Sequence, residues 1–199
     1  MKIVKLFPTP LYITKINTLN YKKIILEDTE KNITANEGNT TSENNYILDK
    51  PEFKDLRKKI DLEIENYFKN IINSSNDFEP FITQSWLNFT KQKQFHHKHN
   101  HPNSIVSGVF YVQTDEDDRI TFFKNSKDFF GFNLKNKNEF NINHIYLKVT
   151  DGMLVLFPSD LFHSVPVKET SGTRVSLSFN TFIKGSVGDK GTLTYLKIE

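Results

Sequence analysis

The spacing of hydrophobic positions changes character once, near residue 78. Before that point, Phe53, Leu56, Ile60, Ile64, Tyr67 and Ile71 recur at steps of three or four, the pattern of one face of an α-helix. Pro51 opens this helix, since a missing N–H is harmless in a first turn, and Asn73-Ser74-Ser75-Asn76 closes it. Lys54, Lys58, Glu65 and Lys69 fall on its other face. Residues 21–33 show weaker helical spacing. Residues 3–16 read as an extended segment at a sheet edge or in a crossing strand, because Pro8 and Pro10 cannot donate to a ladder. Residues 34–46 are small and polar and read as a mobile loop.

Beyond Phe78 the pattern is one of short apolar or alternating runs: 82–90, 104–113, 119–124, 144–149, 152–157, 163–167 and 174–183. Strands at such short intervals predict a mainly β fold, a barrel or sandwich. The expected organisation is one domain of 199 residues. Residues 1–78 form an N-terminal strand and helical flank, 79–185 the β core and 186–199 a C-terminal extension. The Lys-, Asn- and Phe-rich stretch 124–143 separates two of the strands. Connections of that length tend to be lids or disordered, and Phe122–Phe140 is expected to close over a site.

Composition narrows the function classes. With 26 basic and 24 acidic residues the net charge is +2, which gives no electrostatic footprint for nucleic acid. The chain has no cysteine, which excludes disulfides, thiolate metal sites and cysteine nucleophiles. No window approaches the roughly 18 apolar residues of a membrane span, and residues 1–8 lack a long apolar run. A cytoplasmic protein with no membrane partner is expected, and a homo-oligomer is compatible with the sequence. Eighteen Phe and seven Tyr supply the area for a substantial core.

The chemistry concentrates in His96-His97-Lys98-His99-Asn100-His101, four of the six histidines of the chain. In a strand, residues two apart share a face, so either His97 and His99 or His99 and His101 could chelate one metal. Pro102 favours the later pair. His163 follows the buried-strand run Met153–Phe157 and offers a third imidazole, whereas His144 lacks such a frame and reads as an ordinary strand or surface residue. Imidazoles suit Fe, Zn, Cu or Ni alike. Downstream, Arg174, Ser176, Ser178 and Asn180 alternate with Val175, Leu177 and Phe179. The polar face is either solvated or lines a barrel interior. In the second case Arg174 offers a planar fork to a carboxylate and Ser176 adds a hydroxyl. Tyr111 is a core or ligand-binding phenol, Trp86 is expected in the core, and Asn88 is a candidate site contact. There is no phosphate loop, nucleophile elbow or H-E-x-x-H helix.

Four ordered segments carry a family resemblance: Trp86–Asn88, His99–Val112, Gly152–Val165 and Arg174–Asn180. Together they resemble the W-x-N, H-x-H-P-N-S-x-x-S-G-V-x-Y-V, G-x-L-V-x-F-P-S-x-L-x-H-x-V and R-x-S-x-S-F-N pattern of small bacterial and phage 2-oxoglutarate/Fe(II)-dependent oxygenases. The opening Leu6-Phe7-Pro8-Thr9-Pro10 is also similar. The resemblance implies a double-stranded β-helix, or jelly roll, and a dioxygenase using Fe(II), 2-oxoglutarate and O2 on a small molecule or protein side chain. It implies His99, His101 and His163 as metal ligands and Arg174, Ser176 and Tyr111 as cosubstrate contacts. Asn88, Trp86, Asn180 and His97 are left as substrate or supporting residues. The superfamily's usual first motif is H-x-D. Here His101 stands at the aspartate position, so the metal centre would be one unit more positive. A three-histidine dioxygenase that uses no keto acid and a non-catalytic jelly-roll binding module are the alternatives.

Overall fold

The structure is a computed structural model describing residues 1–29, 32–125 and 131–199. Strand β1 (Tyr12–Lys15) leads into helix α1 (Leu19–Thr29), then β2 (Ile33–Ala35) and β3 (Thr40–Ser42). A 3-10 turn at Pro51–Phe53 opens α2 (Lys54–Tyr67), which continues as a π-turn through Phe68–Ile72. The β core follows: β4 (Phe78–Thr90), β5 (His96–His99), β6 (Val106–Gln113), β7 (Arg119–Phe123), β8 (His144–Lys148), β9 (Met153–Pro158), β10 (His163–Val165), β11 (Arg174–Val187) and β12 (Leu196–Ile198). One sheet has the order β1-β9-β6-β11-β4-β3-β2, with β12 added on β11; the other is β5-β10-β7-β8. Every strand pairing is antiparallel. Two facing antiparallel sheets of this kind make a jelly roll.

The period-2 pattern explains how two cores form on the two faces of the larger sheet. Val175, Leu177 and Phe179 of β11, Phe110 of β6 and Leu154 and Leu156 of β9 join one apolar cluster with Leu56, Ile60 and Ile64 of α2. The alternate positions, Val109 and Tyr111 of β6 and Val155 and Phe157 of β9, join Ile120 and Phe122 of β7 in a second cluster. The helical flank therefore covers the outer face of the large sheet, and the smaller sheet closes over the inner one. At Gly108 the Phe179 ring lies within 2.1 Å of where a Cβ would be, so only glycine lets β6 and β11 pack there.

Several expectations need correction. The stretch 34–46, read as a mobile loop, contains most of the β2–β3 hairpin, and β3 pairs with Phe89 and Asn88 of β4. Ser42, although small and polar, is buried because its hydroxyl accepts the Leu87 N–H (3.0 Å) and donates to the Asn44 carbonyl (2.7 Å). The helix read over 21–33 stops at Thr29, and Ile33 belongs to β2. The segment 3–16 supplies the edge strand β1 over Tyr12–Lys15, as expected of a sheet edge. Ile71 leaves the helix face and is 36% exposed. The π-turn adds a residue per turn, which rotates Ile71 off the stripe, and Asn73 then ends the helix in the left-handed region (φ 48°). The expected lid, Phe122–Phe140, lies partly outside the described residues. Among the described residues no helix is long and apolar enough to cross a membrane.

Candidate metal and cosubstrate site

The inner face of the large sheet carries a polar stripe set by strand register. Across β4, β11 and β6, Asn88, Ser176 and Tyr111 are aligned in one row. Trp86, Ser178 and Val109 form the next row, and Arg174 pairs with Thr90. All of these except Thr90 line one cleft, which His96, His99, His101 and His163 close at the other side. The polar face of β11 is thus a barrel interior.

His163 opens β10 and His99 ends β5, directly paired across the ladder. His101 lies two residues past β5, where its backbone N–H donates to the Ser159 carbonyl (2.9 Å). These contacts bring one ligand atom from each of His99, His101 and His163 within 4.8 Å of one another. His99 Nδ1 lies 2.8 Å from the His97 carbonyl and His163 Nδ1 lies 3.0 Å from the Leu161 carbonyl. Carbonyls only accept, so both Nδ1 atoms carry the proton and both Nε2 atoms present a bare lone pair. The Nε2 atoms of His101 and His163 are 3.3 Å apart, near the ~3.4 Å between two ligands of a tetrahedral centre with bonds of about 2.1 Å.

The electrostatics favour neutral imidazoles. Burial, and then the proximity of His99, pulls the His101 pKa down to about 4. Burial lowers His99, and it holds His163 well below the usual histidine range. At neutral pH the three rings are unprotonated, the state that binds metal.

Arg174 sits at the far side of the cleft and is 3% exposed. Its Nη2 donates to Thr90 Oγ1 (3.1 Å) and its Nη1 reaches the Arg119 carbonyl at 3.5 Å, while Nε is buried with no partner. Among the described residues no carboxylate forms an ion pair with it. A buried guanidinium without its anion is costly; burial accordingly lowers its pKa, with Tyr111 and Asp118 opposing. Burial also raises the Tyr111 pKa, so its phenol stays protonated and can donate. Asn88 donates to Ser178 Oγ (2.9 Å) and leaves its Oδ1 buried and unsatisfied. Both orphaned groups suit a polar ligand in the cleft.

Three residues are placed differently from expectation. Trp86, expected in the core, is only half-buried and lines the cleft, with its ring 5.9 Å from that of His101. Asn180 does not line the cleft; its Oδ1 accepts from Ser107 Oγ (2.9 Å), which in turn meets Ser159 Oγ (2.8 Å). His97 also stays out of the cleft, and His96 enters it. The cause is a bulge: His163 pairs with His99 and Val165 with His96, so two residues of β10 span three of β5. The extra residue puts His96 and His99 on the same side. The rings of His96 and His99 stack at 4.4 Å. Strict alternation could not have indicated His96, and Thr90, the support of Arg174, carried no signal at all.

Residues 84–180 match the family model described as "Putative 2OG-Fe(II) oxygenase". No curated protein matches the chain. Among solved structures, HygX from Streptomyces hygroscopicus, with nickel, 2-oxoglutarate and hygromycin B bound, is similar at 14% identity, covering 87% of this chain and 82% of that one (TM-score 0.60). A Pseudomonas putida prolyl-4-hydroxylase shares 12% identity over 86% of this chain and 92% of its own (TM-score 0.59). An oxidoreductase of the 2OG-Fe(II) oxygenase family from Burkholderia pseudomallei shares 10% over 86% and 83% (TM-score 0.59). At these identities the structures show a common jelly roll. The family match falls on the strands that carry the histidines and Arg174, and with the shared jelly roll it supports a 2OG-Fe(II) oxygenase, a type of enzyme that uses Fe(II), 2-oxoglutarate and O2.

Proposed function

We propose that His99, His101 and His163 hold the Fe(II) of this oxygenase and that Arg174, with Ser176 and Tyr111, holds the distal carboxylate of 2-oxoglutarate in a reaction that hydroxylates a C–H bond. The observation that carries the reading is the pairing of two incomplete sites in one cleft. Three neutral imidazoles converge at one side, and an unpaired buried guanidinium waits at the other. The donor set fits a first-row divalent metal, and the cationic fork fits a carboxylate.

His99, His101 and His163 would hold the Fe(II) and Arg174 the 2-oxoglutarate, which with O2 would supply the oxidising power, with succinate and CO2 as the by-products. The chain's own residues position and exclude water. The Leu161 and His97 carbonyls fix the imidazole tautomers, and the Thr90 hydroxyl aims the Arg174 fork. The buried Tyr111 phenol would donate to the bound carboxylate. Asn88 Oδ1 offers an acceptor, and Trp86 walls the cleft beside His101. The substrate class is a small molecule or a protein side chain, in line with HygX bound to hygromycin B and with the prolyl-4-hydroxylase.

The decisive experiment is succinate release from 2-oxoglutarate. Fe(II)-dependent release that stops in His99→Ala is the expected result. An iron-loaded, reduced protein that neither forms succinate nor binds 2-oxoglutarate sinks the reading. One observation favours a second reading: the neutral His101 at the position where the superfamily carries a carboxylate. A three-histidine dioxygenase would consume O2 with its substrate in the absence of keto acid.

A further inference from the structure

Two of the four clustered histidines take no part in the triad. His96, His97 and His99 nevertheless bring one ring nitrogen each within 4.8 Å of one another, with ring centroids 4.4 to 5.1 Å apart. His97 Nδ1 is buried and has no hydrogen-bond partner. It stands 3.6 Å from Glu37 Oε2. That is too long for a hydrogen bond and close to the ~3.4 Å separation of two ligand atoms on a tetrahedral centre with bonds of about 2.1 Å. Glu37 sits on the loop joining β2 to β3, and the Phe95 N–H fastens that loop to β5 through the Gly38 carbonyl (3.0 Å). The backbone thus delivers the carboxylate to the histidine strand.

We propose that His96, His97 and His99, with Glu37, form a second divalent-metal site that shares His99 with the triad, so that only one of the two sites is filled at a time. His99 has one lone pair to give, because its Nδ1–H is committed to the His97 carbonyl. His96 Nε2 lies 3.3 Å from the Asn36 side-chain amide. Asn36 Nδ2 also donates to Asn39 Oδ1 (2.9 Å), so both amides turn over together: the Asn36 oxygen then accepts His96 Nε2–H and an N–H of the buried, otherwise unpartnered Asn39 Nδ2, and leaves His96 Nδ1 as the ligand atom, the usual support of a metal-bound histidine. Three imidazoles and one carboxylate select Zn(II), Co(II), Ni(II) or Cu(II) over Mg(II) or Ca(II), and hold them more tightly than Fe(II). A zinc ion bound there withdraws His99 from the iron site, which makes the second site an inhibitory one. The exclusivity rests on the assignment of His99 to the triad; the second site itself does not.

The test uses Co(II), whose visible absorption reports coordination, on protein carrying His101→Asn and His163→Asn. This variant should bind one equivalent of Co(II) with a four-coordinate spectrum. Adding His97→Ala should weaken binding at least ~10-fold, and adding Glu37→Gln should weaken it by a smaller factor. A folded double variant that binds no Co(II), or one indifferent to His97→Ala, overturns the site. If circular dichroism shows the double variant unfolded, Zn(II) is added to the intact protein and the histidine ring 15N signals are followed. Shifts should include His96 and His97; shifts confined to the triad histidines overturn the proposal. Two Co(II) bound at once to the intact protein would refute the exclusivity. Co(II) retained by the double variant while intact protein binds no 2-oxoglutarate would remove the triad reading and leave this site standing.

Discussion

β11 runs for 14 residues between two long neighbours and holds Arg174 where simple alternation puts it. β5 runs for four residues at the edge of the small sheet, is bulged, and turns His96 and His99 to the same side. In the proposed site β11 carries the carboxylate clamp, and β5 carries one of the three triad histidines. Ladders on both sides keep the alternation of faces from Arg174 to Ser178, although β11 shifts register between Val175 and Ser176 against β6 and between Asn180 and Thr181 against β4. An edge strand has one partner and can absorb an extra residue at small cost. The clamp is therefore built rigidly, and the histidine end is built from a kink, a loop residue and a short strand held together by carbonyl contacts.

The largest effects should come from the histidine end. His163→Ala removes the buried centre of the triad, and metal analysis after Fe(II) loading should find most of the iron gone and succinate formation abolished. Iron lost from His97→Ala but kept by His101→Ala would instead place the iron on the other histidine set. His101→Asp, which introduces a carboxylate at that position, should retain metal.

Breaking the clamp comes next. Arg174→Ala should weaken 2-oxoglutarate binding by on the order of 2–5 kcal/mol in calorimetry, the cost of truncating one partner of a buried charged pair. Lys at that position should recover only part, because it lacks the fork. Unchanged binding would take Arg174 out of the site.

Acid separates the two halves through stability. Burial holds His101 near 4 and His96 near 3, below the 6.5 of a free histidine. Between 6.5 and those values the unfolded chain binds more protons than the folded one. Stability is therefore full above about pH 6.5 and falls as pH drops through that window, by roughly 1.4 kcal/mol per pH unit for each such histidine. Thermal melts of metal-free protein should show this slope, and His101→Asn should reduce it by about one proton.

The regular sheet should resist smaller changes less well than its polish suggests. Gly108→Ala forces a Cβ into the Phe179 ring, and overpacking of this kind costs about 1–3 kcal/mol, a fall in Tm of several degrees. The smallest effect should be Ser42→Ala, which leaves the buried Leu87 N–H without its acceptor and costs about 1–2 kcal/mol.

The regular parts of the molecule were legible in the chain itself. The runs 82–90, 119–124, 144–149, 152–157 and 174–183 lie on or within a residue or two of β4, β7, β8, β9 and β11, because a strand buried on both faces, such as β9, reads as a short apolar run and one with unlike faces, such as β11, reads as an alternation. The buried stripe of α2 was equally plain. Spacing left His97 with His99 and His99 with His101 both open, with His163 and Arg174 as further candidates, and the family resemblance narrowed the set to His99, His101, His163 and Arg174.

What tertiary structure alone decided is where the pattern breaks. The polar stretch 34–46 gave no sign of the β2–β3 hairpin, since its stability comes from pairing with β4 and from the Ser42 hydroxyl. Asn180 shares a sequence face with Arg174 yet ties β11 to Ser107. The β5 bulge brings in His96 and leaves His97 against Glu37. The histidine run sets which ligands are available, and the partner strand β10, distant in sequence, sets which of them face the cleft. A bulge is a property of two strands in register, and one strand's sequence does not contain it.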